Sequence, residues 1–438
     1  MDPLLLSALV GIVTMVVLFS GISVGFGLLI VAMIFILGSE GVYGLAVLPE
    51  VLFGKLDSFA LLSIPMFILM GAAVASSRAG ADLYALLERW LNRVPGGLVV
   101  SNLGACALFS SMSGSSPATC AAIGKMGIPE MINRGYPKGV AAGSIAAGGT
   151  LGILIPPSVT MIVYGIATET SIGRLFLAGV LPGLMLTSLF MAWAIYSTWR
   201  QTQGVLTSRV KYTLKQRFEL MPKILPFLLV ILGVLFALYG GVATPSETAA
   251  VGALFCILLA VVIYRMWNAK IVWHMFRDST KESVMILVII GASGLFSYML
   301  SSLYITQTIA QWIIEMGLNP WMLMIWINIF LLFAGFFLPP VAVILMAAPI
   351  LLPIVLEAGF DPYWFAVVLT INMEIGLITP PVGLNLYVIN GIAPDIRLQT
   401  ILWGSLPYVG CMVLAILLLC LFPGIATWLP TYLMGPPV

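Results

Sequence analysis

Charge is what this chain of 438 residues has least of: Asp, Glu, Lys and Arg make up 8% of it. An average soluble domain carries about a quarter. Hydrophobic residues make up 61%, and no soluble fold of this length could hide that much apolar surface. The chain therefore reads as a multi-spanning membrane protein. Long apolar runs continue to the end, which excludes a single anchor on a soluble domain. The alternating pattern of a membrane β-barrel is also missing. Runs such as VILGVLFALYGG and CMVLAILLLCLF do not alternate, so the fold class is an all-α polytopic membrane protein.

Other absences narrow the function. A net charge of +2 gives no reason to expect nucleic acid as a partner. The five cysteines, Cys106, Cys120, Cys256, Cys411 and Cys420, lack metal-ligand spacing and read as small buried hydrophobes. The one histidine, His274, is expected in a charged, solvated loop. No phosphate-binding Gly-x-x-x-x-Gly-Lys-[Ser/Thr] loop is present: around Gly124-Lys125, Thr119 stands where the first glycine belongs and Met126 where the hydroxyl belongs. No soluble stretch has the length of an ATPase domain, and no nucleophile–base pair or His/Cys/carboxylate cluster suggests an enzyme. An ion gradient is the remaining energy source. Only Asp2 precedes the first apolar run, so the N-terminus reads as a first span and not as a signal peptide.

Spans are expected near 4–20, 22–38, 58–77, 138–168, 174–199, 223–240, 245–264, 283–303, 363–393 and 397–422. Two further apolar segments, 98–128 and 321–352, are interrupted near their middles. Basic residues favour the cytoplasmic side. Arg200, Arg209, Lys211, Lys215, Arg217 and Lys223 mark one inside loop, and Arg265, Lys270, Arg277 and Lys281 mark another. If both interrupted segments are re-entrant hairpins, both termini fall outside, and only Lys55 and Arg174 of nineteen basic residues face out.

The two halves, 1–222 and 223–438, repeat one another. Gly21-Ile-Ser-Val-Gly25 aligns with Gly241-Val-Ala-Thr-Pro245, and Phe67–Ala72 with Leu287–Ala292, both at an offset of 220. At an offset of 224, Pro129 aligns with Pro353 and Gly152-Ile-Leu-Ile-Pro-Pro157 with Gly376-Leu-Ile-Thr-Pro-Pro381. Each half has an odd number of crossings, five, so the repeats should be inverted in the membrane. Two amphipathic arms, 77–97 and 304–320, should lie along the interface. Their apolar faces are Leu83, Leu86, Leu87, Trp90, Leu91 and Val94 in the first, and Ile305, Ile309, Trp312, Ile313 and Met316 in the second.

Inverted repeats with broken helices are the pattern of secondary transporters, whose sites lie where breaks correspond. Here Ser110–Pro117 (SSMSGSSP) corresponds to Gly335–Pro340 (GFFLPP), and the Gly148–Pro157 break in 138–168 corresponds to Asn372–Pro381 in 363–393. Proline removes a backbone donor and disrupts the preceding turn. In lipid the freed carbonyls must find partners or line a protected cavity. Carbonyls and neutral hydroxyls at such breaks suit a hard monovalent cation such as Na⁺, and half-helix N-termini suit an anion. The residues placed to act are Ser111, Ser113, Ser115, Ser116 and Thr119, with Gly149, Thr150 and Gly152 opposite. In the second half they are Gly335, Pro339, Glu374, Gly376, Thr379, Gly383 and Asn385. Glu374 is the only acidic residue well inside an expected span, and it could instead pair with Asn372 or Asn385. Small residues also serve close helix packing, so any one serine here has that second reading.

The motifs SMSGSSPAT, GILIPPS and GLITPPVGLNL resemble the large membrane (M) subunit of TRAP transporters, the tripartite ATP-independent periplasmic carriers. The resemblance spans essentially the whole chain. It implies an elevator-type transporter with a scaffold and a mobile transport domain that holds both hairpins and both broken helices. It implies Na⁺ where each hairpin tip meets its broken helix: Ser111, Ser113 and Ser115 with the 149–157 break, Gly149 and Gly152 included, and Gly335–Pro340, Pro339 included, with Gly376, Thr379 and Asn385. The carboxylate of Glu374 is a further Na⁺ candidate. The substrate would lie near Ser115, Ser116, Thr119, Thr150, Gly383 and Asn385. The implied partners are a small membrane (Q) subunit, expected as a separate chain, a periplasmic substrate-binding protein and the lipid of a bacterial inner membrane. The implied function is Na⁺-coupled uptake of a C4-dicarboxylate, sialic acid or another carboxylate. A stand-alone dicarboxylate carrier, an ion channel, or a cation/proton antiporter titrating Glu374 are the competing expectations.

Overall fold

The computed structural model describes residues 3–94, 96–202, 212–315, 317 and 319–436, and these are helical apart from turns and short connections. The first half runs α1 (Pro3–Phe19), α2 (Val24–Gly44), α3 (Val47–Leu56), α4 (Ser63–Ser76), α5 (Ala79–Leu91), α6 (Gly97–Ser113), α7 (Ser116–Asn133), α8 (Lys138–Thr150), α9 (Val159–Thr168) and α10 (Ile172–Thr202). A short helix, α11 (Leu214–Phe218), leads into the second half. There α12 (Met221–Tyr239), α13 (Pro245–Tyr264), α14 (Ala269–Ser302), α15 (Ile305–Glu315), α16 (Pro320–Phe337), α17 (Pro340–Glu357), α18 (Pro362–Leu377), α19 (Leu384–Ile392) and α20 (Leu398–Leu421) follow in the same order, before a final α21 (Gly424–Met434). The one change in the succession is that α14 stands where α3 and α4 stand in the first half. Among the described residues nine helices are long and apolar enough to cross a membrane.

Local chemistry explains the breaks. Gly114 adopts a left-handed conformation (φ +59°), which ends α6 at low cost because glycine has no Cβ to clash. Ser115 is extended and Pro117 sits in the first turn of α7, where its missing N–H costs nothing. In the second hairpin Leu338 and Pro339 are extended and Pro340 opens α17. The helix of 138–168 stops at Thr150, passes through a 3-10 turn (Leu151–Ile153) and restarts after Ser158, whose hydroxyl accepts the Met161 N–H at 3.3 Å. Its counterpart stops at Leu377 and restarts after Gly383, which has φ +50°. In each broken helix the bond within the Pro-Pro pair, Pro156-Pro157 and Pro380-Pro381, is cis.

Several expectations need correction. α14 begins 14 residues before the span expected at 283, so His274 lies on a helix and not in a loop. Hydropathy marks the lipid-facing part of a helix, whereas no glycine or proline interrupts 269–290 to end the helix itself. The helices α3 and α21 were not anticipated. The apolar face of α5 is packed on the protein: Leu83 and Leu86 are buried in the same core as Leu103 and Phe109 of α6. The end of α7 and the segment 214–219 both contact α5. Arg134 bridges Glu88 and Glu130, Arg89 pairs with Glu219 at 2.9 Å, and Phe218 meets Trp90 edge-on. Arg209, Lys211 and Met316 lie outside the described residues, as do the side chains of Arg200 and Ile313.

Candidate functional site: two broken hairpin tips around one cavity

At the first tip, side chains hold the break together. Thr119 Oγ1 donates to the Ser115 carbonyl at 2.9 Å and lies 2.9 Å from Ser113 Oγ and 3.4 Å from Ser110 Oγ. All three hydroxyls are buried. The tip fits into the break between α8 and α9. A Cβ on Gly152 would stand 2.8 Å from the Ser115 carbonyl carbon, and one on Gly114 would stand 2.9 Å from the Pro157 oxygen. Gly149 is needed in the same way, since a Cβ there would overlap Cys120 Sγ. Thr150 is fully buried and donates its proton to the Ala147 carbonyl at 2.6 Å, which leaves its oxygen lone pairs free. Ser111 stands apart: its hydroxyl bonds to Leu108 of its own helix at 2.7 Å.

At the second tip the backbone does this work. A Cβ on Gly376 would overlap the Gly335 carbonyl, so the end of α16 rests directly on the end of α18. The Val382 N–H donates to the Phe336 carbonyl at 3.2 Å, tying the tip to the second break. Thr379 donates to Ile375 of its own chain at 2.7 Å, as Thr150 does to Ala147. Below the tip, the Asn372 amide donates to Asn328 Oδ1 on α16 and to the Val368 carbonyl. This asparagine pair went unrecognised in the sequence, although Asn328 stands out as an amide in the apolar run WMLMIWINIFLLF.

The two halves exchange partners at the site. α9 packs on α17, and α19 packs on α7, so the second part of each broken helix lies against the other half's hairpin. This moves Asn385 away from its expected place. Its Nδ2 donates to Ser116 Oγ at 2.8 Å and to the Ala146 carbonyl at 3.1 Å, both in the first half. The expectation that placed it with Gly335–Pro340 is therefore corrected, and the cause is the crossing of α19 over α7. Three side-chain oxygens in this region are buried without a hydrogen-bond partner: Asn385 Oδ1 and both oxygens of Glu374. Glu374 on α18 is fully buried, and neither Asn372 nor Asn385 pairs with it. A buried carboxylate without a partner is costly, so this position calls for a cation or a proton.

One cavity of about 960 Å³ joins the two tips. Ser113–Pro117 lines it from the first hairpin, Pro339–Val341 from the second, and Thr160 and Leu384 from the first turns of α9 and α19. The starts of α7, α9, α17 and α19 thus meet around one space, each contributing the positive end of a helix dipole. From the tips the cavity runs along α14 past Glu282, Asp278, His274 and Lys270, which are four residues apart and share one face. Lys125 of α7 also lines it.

Comparison with known proteins is consistent with this geometry. A family model described as the tripartite ATP-independent periplasmic transporter, DctM component, matches residues 11–425. The C4-dicarboxylate TRAP transporter large permease protein DctM of Pseudomonas aeruginosa is 39% identical over 382 residues, covering 87% of this chain and 88% of that one. The isethionate TRAP transporter permease protein DctMQ of Oleidesulfovibrio alaskensis is 33% identical over 405 residues, covering 92% of this chain and 63% of that one. Among solved structures, the crystal structure of the Alcanivorax borkumensis YdaH transporter superposes with a TM-score of 0.67 at 15% identity, over 90% of each chain, which is a likeness of fold.

Proposed function

We propose that this chain, which belongs to the DctM component family of tripartite ATP-independent periplasmic transporters, carries a small organic anion inward by coupling its movement to Na⁺. The observation that carries the reading is the single cavity bordered by both hairpin tips and by the starts of four half-helices. Opposed helix N-termini favour a carboxylate or sulfonate, and the named substrates of the two relatives, a C4-dicarboxylate and isethionate, are anions of this kind.

Na⁺ belongs on the other side of each tip, where helix C-termini converge. The ends of α6 and α8 bring Ser113 and Thr150, and the ends of α16 and α18 bring the Gly335 carbonyl and Thr379. The hydroxyls of Thr150 and Thr379 already donate to carbonyls, so they present lone pairs to a hard cation. Glu374, with no donor in reach, suits the same role.

In this reading both hairpins and both broken helices move as one body against a scaffold, an elevator motion, and the halves divide near residue 222. The membrane is the inner membrane, with both termini outside. The partners are a periplasmic binding protein that delivers the anion and a small membrane subunit. The latter is carried either on a separate chain or joined to this one, as the name of the isethionate relative indicates for that protein.

The test is uptake of succinate, as the dicarboxylate probe, into proteoliposomes holding all three components. Accumulation should follow an inward Na⁺ gradient. Uptake that ignores Na⁺ and follows an imposed proton gradient would favour the second reading, in which Glu374 titrates. Transport by this chain with no binding protein would favour a stand-alone carrier.

A further inference from the structure

A second, smaller cavity of about 560 Å³ lies at the other end of α9. The first turn of α9 lines the large cavity through Val159 and Thr160, and its last turns line the small one through Gly165 and Ile166. The intervening rise is only about 8 Å. On the topology proposed above, the small cavity opens to the outside.

The repeat relates the two cavities. At the offset of 220 that aligns the flanking motifs, Gly54, Ser58 and Ala243 of the small cavity fall on His274, Asp278 and Ser23 of the large one. The same positions of the fold thus wall a cavity on each side. The chemistry of the two walls differs. The inner wall has a ladder of charged residues, whereas the small cavity has one basic residue, Lys55, and one acidic residue, Glu169, together with the hydroxyls of Ser58, Thr170 and Ser171.

Lys55 and Arg174 are the two basic residues placed outside. Arg174 is fully engaged: its guanidinium donates to the carbonyls of Met434, Gly435 and Pro436 at 2.8–3.1 Å. Lys55 makes no ion pair among the described residues, not even with Glu169, which lines the same cavity. Its stem nevertheless has a seat. A Cβ on Gly294 of α14 would stand 2.5 Å from Lys55 Cγ, so that glycine provides the seat for the lysine stem. A seated stem with a free ammonium head is the arrangement that receives an anion.

We propose that Lys55, in this outer cavity, is the first contact on this chain for the carboxylate or sulfonate group of the incoming anion. The inference rests on the anion-uptake reading and adds to it a site on the outer face.

The test needs no transport. Ser58 makes no side-chain cap bond, so Ser58→Cys is a mild reporter within the cavity. In spheroplasts bearing the full chain, that thiol is reacted from outside with anionic sulfonatoethyl methanethiosulfonate or cationic trimethylammonioethyl methanethiosulfonate. The native cysteines, three buried and two half-buried, set the background in the parent chain. Relative to the rates of the two reagents with a small free thiol, the anionic reagent should be favoured. Adding Lys55→Gln should lower the anionic-to-cationic rate ratio about tenfold, and Lys55→Arg should preserve it. A ratio unchanged by Lys55→Gln, or a thiol reached only from the inside, overturns the proposal. Gly54→Cys serves as the reporter if Ser58→Cys does not reach the membrane. Failure of all anion uptake would overturn the functional reading yet leave this ratio as predicted, so the two failures are distinguishable.

Discussion

The two hairpin tips occupy the same place in the repeat and are built from different materials. The first is closed by side chains: the Thr119 hydroxyl bonds to those of Ser110 and Ser113 and to the Ser115 carbonyl. The second has no hydroxyl in Gly335–Pro340 and is closed by the Gly335 carbonyl against Gly376 and the Phe336 carbonyl against Val382. A fold position can thus keep its geometry while its closing contacts pass from side chain to backbone. Side-chain substitution within the tip should therefore tune the first, whereas within Gly335–Pro340 the closing contacts are reached by an added Cβ.

The largest effect should come from Gly376→Ala. The new Cβ overlaps backbone, which cannot swing aside, and the strain should be about 1–3 kcal/mol. Na⁺-dependent uptake should fall more than tenfold while Gly391→Ala, which meets open space, leaves it unchanged. Next comes Asn385→Ala, which removes the amide that joins α19 to Ser116 and Ala146. Loss of a buried bonded amide costs about 1–3 kcal/mol and should appear as a lower melting temperature. Ser113→Ala should be smaller in stability, about 1 kcal/mol, yet should raise the Na⁺ concentration for half-maximal uptake several-fold. Equal loss of protein from the membrane would instead assign Ser113 to packing. Smallest is Ser111→Ala, whose hydroxyl serves only its own helix; uptake and melting should both match the parent. A large effect there would break the distinction between tip and flank.

Much of this architecture could be read in the sequence because the repeat and the prolines are covalent facts. The spacing of 224 between the Pro-Pro pairs predicted two broken helices, and the structure has one at each. The beginning of α14 was missed because a charged amphipathic helix gives no lipid signal, although nothing in its sequence ends the helix. The partner of Asn385 was missed for a different reason. A repeat shows which residues correspond, but not that α19 crosses to α7 in the other half. Position 385 aligns with Met161, so its counterpart offers no amide that could have signalled the contact.

Whether the first tip binds Na⁺ through side-chain oxygens can be tested without knowing the substrate. The melting temperature of the purified chain is measured in Na⁺ and in K⁺ at equal ionic strength, for the parent and for Ser113→Ala. A ligand that binds only the native state raises that temperature by mass action. The parent should melt at a higher temperature in Na⁺, and the variant should show a clearly smaller difference. A parent that melts identically in the two salts, or a variant that keeps the full difference, would contradict such binding.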